Sequence, residues 1–74
     1  MTKLKYIILG VIAEGTIRAD YIYEMQLRET VHAGSDVYTT STAVDNALED
    51  LFKRKLIEYM PGTTDRYRLK LSHL

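Results

Sequence analysis

The sequence predicts a small α+β domain, three helices followed by a two-stranded hairpin. Two observations predict it. Apolar residues recur at helical spacing through most of the chain, then change to a period of two after Lys55, strict over Arg66–Leu71. The run Pro61-Gly62-Thr63-Thr64-Asp65 then divides the alternating stretch into two arms, at the length of a hairpin loop. At 74 residues the chain holds one domain, 1–74, with a modest core. So small a core gains from oligomerisation.

The first helix is expected over Thr2–Glu14. Leu4, Ile7, Ile8, Val11 and Ile12 form one apolar stripe. Thr2 caps its start, and Gly15 is expected to end it. Tyr6, Leu9 and Ala13 make a second apolar face, and a helix apolar all round is buried on both sides. The second face therefore predicts a homodimer through Tyr6, Leu9 and Ala13, unless the hairpin covers it.

A second helix is expected over Arg18–Val31, with Tyr23, Leu27 and Val31 in a row and Gly34 as the stop. His32 to Thr40 reads as a turn, with Val37 and Tyr38 as a short extended plug. The third helix is the clearest. Thr39, Thr40, Ser41 and Thr42 are candidate N-caps, and Thr42 with Asp45 resembles a capping box. Val44, Ala47, Leu48, Leu51 and Phe52 give the apolar pattern, and Lys53, Arg54 and Lys55 at the end suit the helix dipole. Strands follow over Leu56–Met60 and Arg66–Leu71. Tyr67, Leu69 and Leu71 point one way; Arg66, Arg68 and Lys70 point the other. One core is expected from Leu4, Ile8, Val11, Ile12, Val44, Leu48, Leu51, Ile57 and Leu69. Three helices and then a hairpin is the order of a winged helix-turn-helix.

Within that order the chain resembles the DNA-binding half of the PadR-like transcriptional regulators, over roughly residues 4–71. Residues 8–15, Ile-Leu-Gly-Val-Ile-Ala-Glu-Gly, resemble that family's opening helix and turn. Asp20-Tyr21-Ile22-Tyr23 stands where the family often has Gly-Tyr-Glu-Ile. Val44, residues 47–51 and Leu56-Ile57 are similar to its recognition helix and the start of its wing. Residues 66–69, Arg-Tyr-Arg-Leu, are similar to its returning strand. The chain departs from the pattern at Asp45, where the family usually carries Tyr, and at Lys55, where it usually has Gly. The family's C-terminal dimerisation helices have no counterpart before Leu74. The resemblance implies DNA binding by the third helix and the wing.

Charge bears on partners. The formal net charge is zero, which counts against nucleic acid. The distribution is uneven. Residues 1–52 hold four basic side chains against eight acidic ones, and residues 53–74 hold six against two. The C-terminal third is thus a basic pole suited to phosphate. The expected reading is a sequence-specific regulator on double-stranded DNA, with residues 40–55 in the major groove and residues 56–71 on the backbone. Thr39, Thr40, Ser41, Thr42 and Asn46 would contact bases or phosphates. Asn is the side chain that pairs bidentately with adenine. Lys53, Arg54, Arg66, Arg68 and Lys70 would contact phosphates. N-capping competes for the hydroxyls, and the basic row equally suits a solvated sheet edge kept charged against strand pairing. Zero net charge and an acidic third helix keep a second reading open, a module that binds a protein partner instead of DNA.

Other classes find little in the sequence. There is no cysteine, hence no disulfide framework or thiolate site, which fits a reducing cytoplasm. His32 and His73 are far apart, neither with a neighbour at ligand spacing, so no metal is expected. No glycine-rich phosphate loop occurs, and neither a cofactor nor an enzyme is expected. Lys3 and Lys5 before the apolar run 6–13 loosely mimic a signal peptide. The run is too short to cross a bilayer, and a core helix is the expectation, with no membrane association.

Overall fold

The structure is a computed structural model that describes residues 1–34 and 39–70. The expected plug at Val37 and Tyr38, and Leu71 and His73, lie outside the described residues. The fold is α+β: α1 (Lys3–Ala19), β1 (Ile22–Tyr23), α2 (Glu24–Gly34), α3 (Ser41–Lys53), β2 (Ile57–Met60) and β3 (Arg66–Leu69). The three strands form one antiparallel sheet in the order β1-β3-β2.

The helix α1 runs well past Gly15, contrary to expectation, and takes in Arg18. Thr2 caps its start, accepting from Lys5 N at 3.4 Å. Its end is set by Asp20, whose φ of 70° is left-handed and whose N–H donates to Thr16 O. Gly15 serves a close approach instead of a stop. A Cβ at that position would lie 2.7 Å from the Cβ of Ile22. The absent side chain lets β1 lie against α1.

The strand β1 occupies Ile22 and Tyr23, which the sequence places inside the second helix, and that helix starts only at Glu24. Ile22 pairs with Tyr67 and Tyr23 with Arg66. β3 is therefore the central strand, not an edge. β1 covers Arg66 and Tyr67, so the reading of the basic row as a protected free edge fails at Arg66. The Thr16 hydroxyl donates to Ile12 O at 2.8 Å and accepts from Leu69 N at 2.9 Å, which ties β3 to α1.

The core lies between the three helices and one face of the sheet. Ile8, Ile12, Leu27, Val31, Val44, Leu51 and Ile57 are almost wholly buried, with Ile22, Ala47 and Leu48 beside them. Leu4, Val11 and Leu69 pack against this cluster from its margin. So does Leu9, which the sequence put on the outer face of α1. Among the described residues no buried side-chain nitrogen or oxygen lacks a hydrogen-bond partner. No helix of the described residues is long and apolar enough to cross a membrane.

Candidate nucleic-acid interface

Thr40, not Thr42, caps α3. It has extended backbone at φ −81° and its side chain accepts from Ala43 N at 3.1 Å. The capping box expected from Thr42 and Asp45 gives way to a longer contact. Asp45 instead accepts a hydrogen bond from Arg28 on α2. The same guanidinium reaches Glu24 Oε1 at 3.1 Å and Ser41 Oγ at 3.4 Å. One arginine thus joins α2 to the first turns of α3 and fixes how the two helices meet. The bond to Asp45, opposed by partial burial, holds the guanidinium more firmly protonated than usual. It also offsets the acidic charge of Asp45 at the start of α3. Seventeen residues separate the partners, so no local pattern could have disclosed the pair.

The 100° spacing of α3 puts Val44, Ala47, Leu48 and Leu51 inward and Thr42, Asn46, Glu49 and Lys53 outward. All four outward residues are exposed. Thr42 and Asn46 bond to no other described residue, so their polar atoms are free for a ligand. Thr39 is different: it is 8% exposed. Thr40 is spent on the cap and Ser41 accepts from Arg28.

Most cations at the candidate interface have an acidic neighbour. Lys53 pairs with Glu49 at 3.2 Å, Arg54 with Asp50 at 2.7 Å, and Arg68 with Glu58 at 2.7 Å across the hairpin. Asp50 also takes Lys5 of α1 at 3.1 Å. These two donors, Lys5 first, hold its carboxyl below the usual range. Arg66 is stacked over the Tyr21 ring at 5.2 Å. Among the described residues Lys55 and Lys70 alone of this basic pole have neither a carboxylate nor a ring partner.

The predicted residues do not form one surface. Tyr59 and Tyr67, cross-strand neighbours, face the flank of α3. Arg66 and Arg68 alternate with them and so occupy the other face of the sheet. The structure therefore separates an α3 group, Thr40 to Thr42 with Asn46 and Lys53, from a hairpin group, Arg66 and Arg68, with Lys70 at its base. The α1 residues Tyr6, Leu9 and Ala13 fare unequally. Tyr6 is 60% exposed, while Leu9 and Ala13 are half-buried. Gly10, with open space where a Cβ would stand, and Ile17, 84% exposed, extend the outer face that Tyr6 and Ala13 begin. Ile17 was missed because α1 was expected to end before it. Among the described residues no group of three metal-ligating side chains comes together.

No family model, no curated protein and no solved structure matches the chain.

Proposed function

We propose that the chain is a winged helix-turn-helix transcriptional regulator that binds double-stranded DNA in the cytoplasm as a homodimer. The observation that carries this reading is the outward row of α3. It is an exposed helix face, held to α2 by Arg28, with the amide of Asn46 and the hydroxyl of Thr42 uncommitted. A helix so placed suits the major groove, where Asn46 would read a base edge. Lys53, on the same outward row, would contact phosphate.

The resemblance to PadR-like regulators rests on the residues alone, and the backbone supports it at two points. Asp20 and Lys55 stand where that family has glycine. They are the two non-glycine residues with positive φ among those described, at 70° and 62°. Glycine is the residue that adopts this conformation without strain.

Dimerisation would bury the outer face of α1 and place two copies of α3 on one side of a duplex, giving palindromic sites. Ile17 takes the place of Leu9 as its most exposed apolar contact. Sedimentation tests this directly. Wild type should sediment as a dimer and Ile17→Glu as a monomer; a monomeric wild type at high concentration contradicts it.

A protein partner is the second reading, and the pairing of Lys53, Arg54 and Arg68 with acids favours it. Each such pair lowers the net attraction for phosphate. Selection from random duplexes with purified protein separates the two. Enrichment of a palindromic motif is the expected outcome; no enrichment at low salt leaves the protein partner.

A further inference from the structure

A groove of about 320 Å³ lies between α3 and the hairpin, and the base-reading role proposed for Asn46 does not use it. Its walls are Leu48, Phe52, Tyr59 and Tyr67, with Asp45 and Glu49 on the α3 side. Phe52 is 55% exposed, on a helix whose inward face is fully packed. Its ring has no aromatic partner among the described residues. Tyr59 and Tyr67 are a tilted pair, 5.4 Å between centroids. The Tyr59 hydroxyl donates to Asp65 Oδ1 at 2.6 Å, which fixes that ring as a wall.

The lining holds two carboxylates and no cation. Around it stand four carboxylates, Asp45, Glu49, Glu24 and Asp65, against two cations, Arg28 and Lys53. Burial pushes the Tyr67 phenol up to about 12, and Glu24, Tyr59 and Asp65 add to the shift against partial opposition from Arg28. An excess of carboxylates favours positive charge, and aromatic rings such as the three that line the groove attract cations through their quadrupoles. The same sheet already holds one cation in this way, Arg66 over Tyr21.

We propose that this groove binds a small organic cation of the quaternary-ammonium class. The volume is at the lower end for small-molecule sites. The nearby carboxylates already have partners: Asp45 has Arg28, Glu49 has Lys53, and Asp65 has Tyr59. A cation that needs no hydrogen bond therefore fits better than a primary amine. The site does not depend on whether the chain binds DNA.

The test compares choline with 3,3-dimethyl-1-butanol, its neutral carbon analogue, by amide chemical shifts of the full chain. Choline should give saturable shifts at Leu48, Phe52, Tyr59 and Tyr67, and the neutral analogue should bind about tenfold more weakly. Phe52→Ala and Tyr59→Leu, both at exposed positions, should keep the dispersed spectrum of the fold and each lose choline binding at least about fivefold. Equal binding of the two probes would overturn the proposal, since the groove would then be merely apolar. So would the absence of saturable shifts in the wild type. Binding of N-acetylarginine amide with choline silent would also overturn it and assign the groove to a side chain of a partner protein.

Discussion

The helices α1 and α3 pack against each other, yet their outer faces differ in kind. The outer face of α1 runs through Tyr6, Gly10, Ala13 and Ile17, apolar or without a side chain. That of α3 runs through Thr42, Asn46, Glu49 and Lys53, polar throughout. An apolar face left in water gains by meeting another apolar surface, whereas a polar one is already satisfied by water and must gain from specific hydrogen bonds. Under the proposed function the two faces would meet different partners, a second copy of the chain for α1 and a nucleic acid for α3.

The largest expected effect separates the inner faces from the outer ones. Leu51→Ala on α3, at a wholly buried position, should cost about 2–5 kcal/mol. Ile17→Ala on α1, 84% exposed, should stay within about 0.5 kcal/mol of wild type in the monomer. Urea melts at low protein concentration measure both. Comparable losses would show that Ile17 has an intramolecular partner.

Next in size is a pair of glycines within α1. Gly15→Ala places a Cβ 2.7 Å from Ile22 and should destabilise by about 1–3 kcal/mol through displacement of β1. Gly10→Ala meets open space and should stabilise by about 0.5–1 kcal/mol through helix propensity. Thermal melts of the two variants should shift in opposite directions. A shift of the same sign would mean that the two sites do not differ in their surroundings.

How legible these features were depended on the range over which they are set. α3 could be read because its caps, its single apolar face and its terminal charges all lie within one short segment. Gly15 could not, because its role depends on Ile22 across the turn at Asp20. β1 is two residues long, and Ile22 and Tyr23 also fit the helical rows of α2. The alternation of Arg66 and Arg68 was plain in the sequence, but the register that sets Glu58 opposite Arg68 is a property of the closed hairpin. Asn46 was identifiable as an outward amide. That Asp45 beside it would be held by Arg28 was not.

The smallest effect concerns the contact between α1 and α3. Lys5 and Arg54 hold the Asp50 carboxyl below its ordinary 3.8. A carboxylate depressed in the folded state stabilises above its unfolded value, and that contribution is lost as pH falls through the folded one. Lys5→Met, which keeps the aliphatic stem, should therefore lower stability at neutral pH and flatten the fall below pH 3.8. Melting temperature against pH measures the difference. Parallel wild-type and variant curves would show that the ion pair contributes nothing.

The most direct test of DNA recognition by α3 is a titration of the selected duplex and a random one at several salt concentrations. Wild type should bind both, more weakly as salt rises. Lys53→Ala should weaken both by similar factors and reduce the salt slope by about 0.9. Asn46→Ala should cost about 1–3 kcal/mol on the selected duplex and little on the random one, with the slope unchanged. A wild-type protein that binds neither duplex at low salt would contradict DNA recognition outright. An Asn46→Ala variant that loses both duplexes equally would remove α3 from sequence reading.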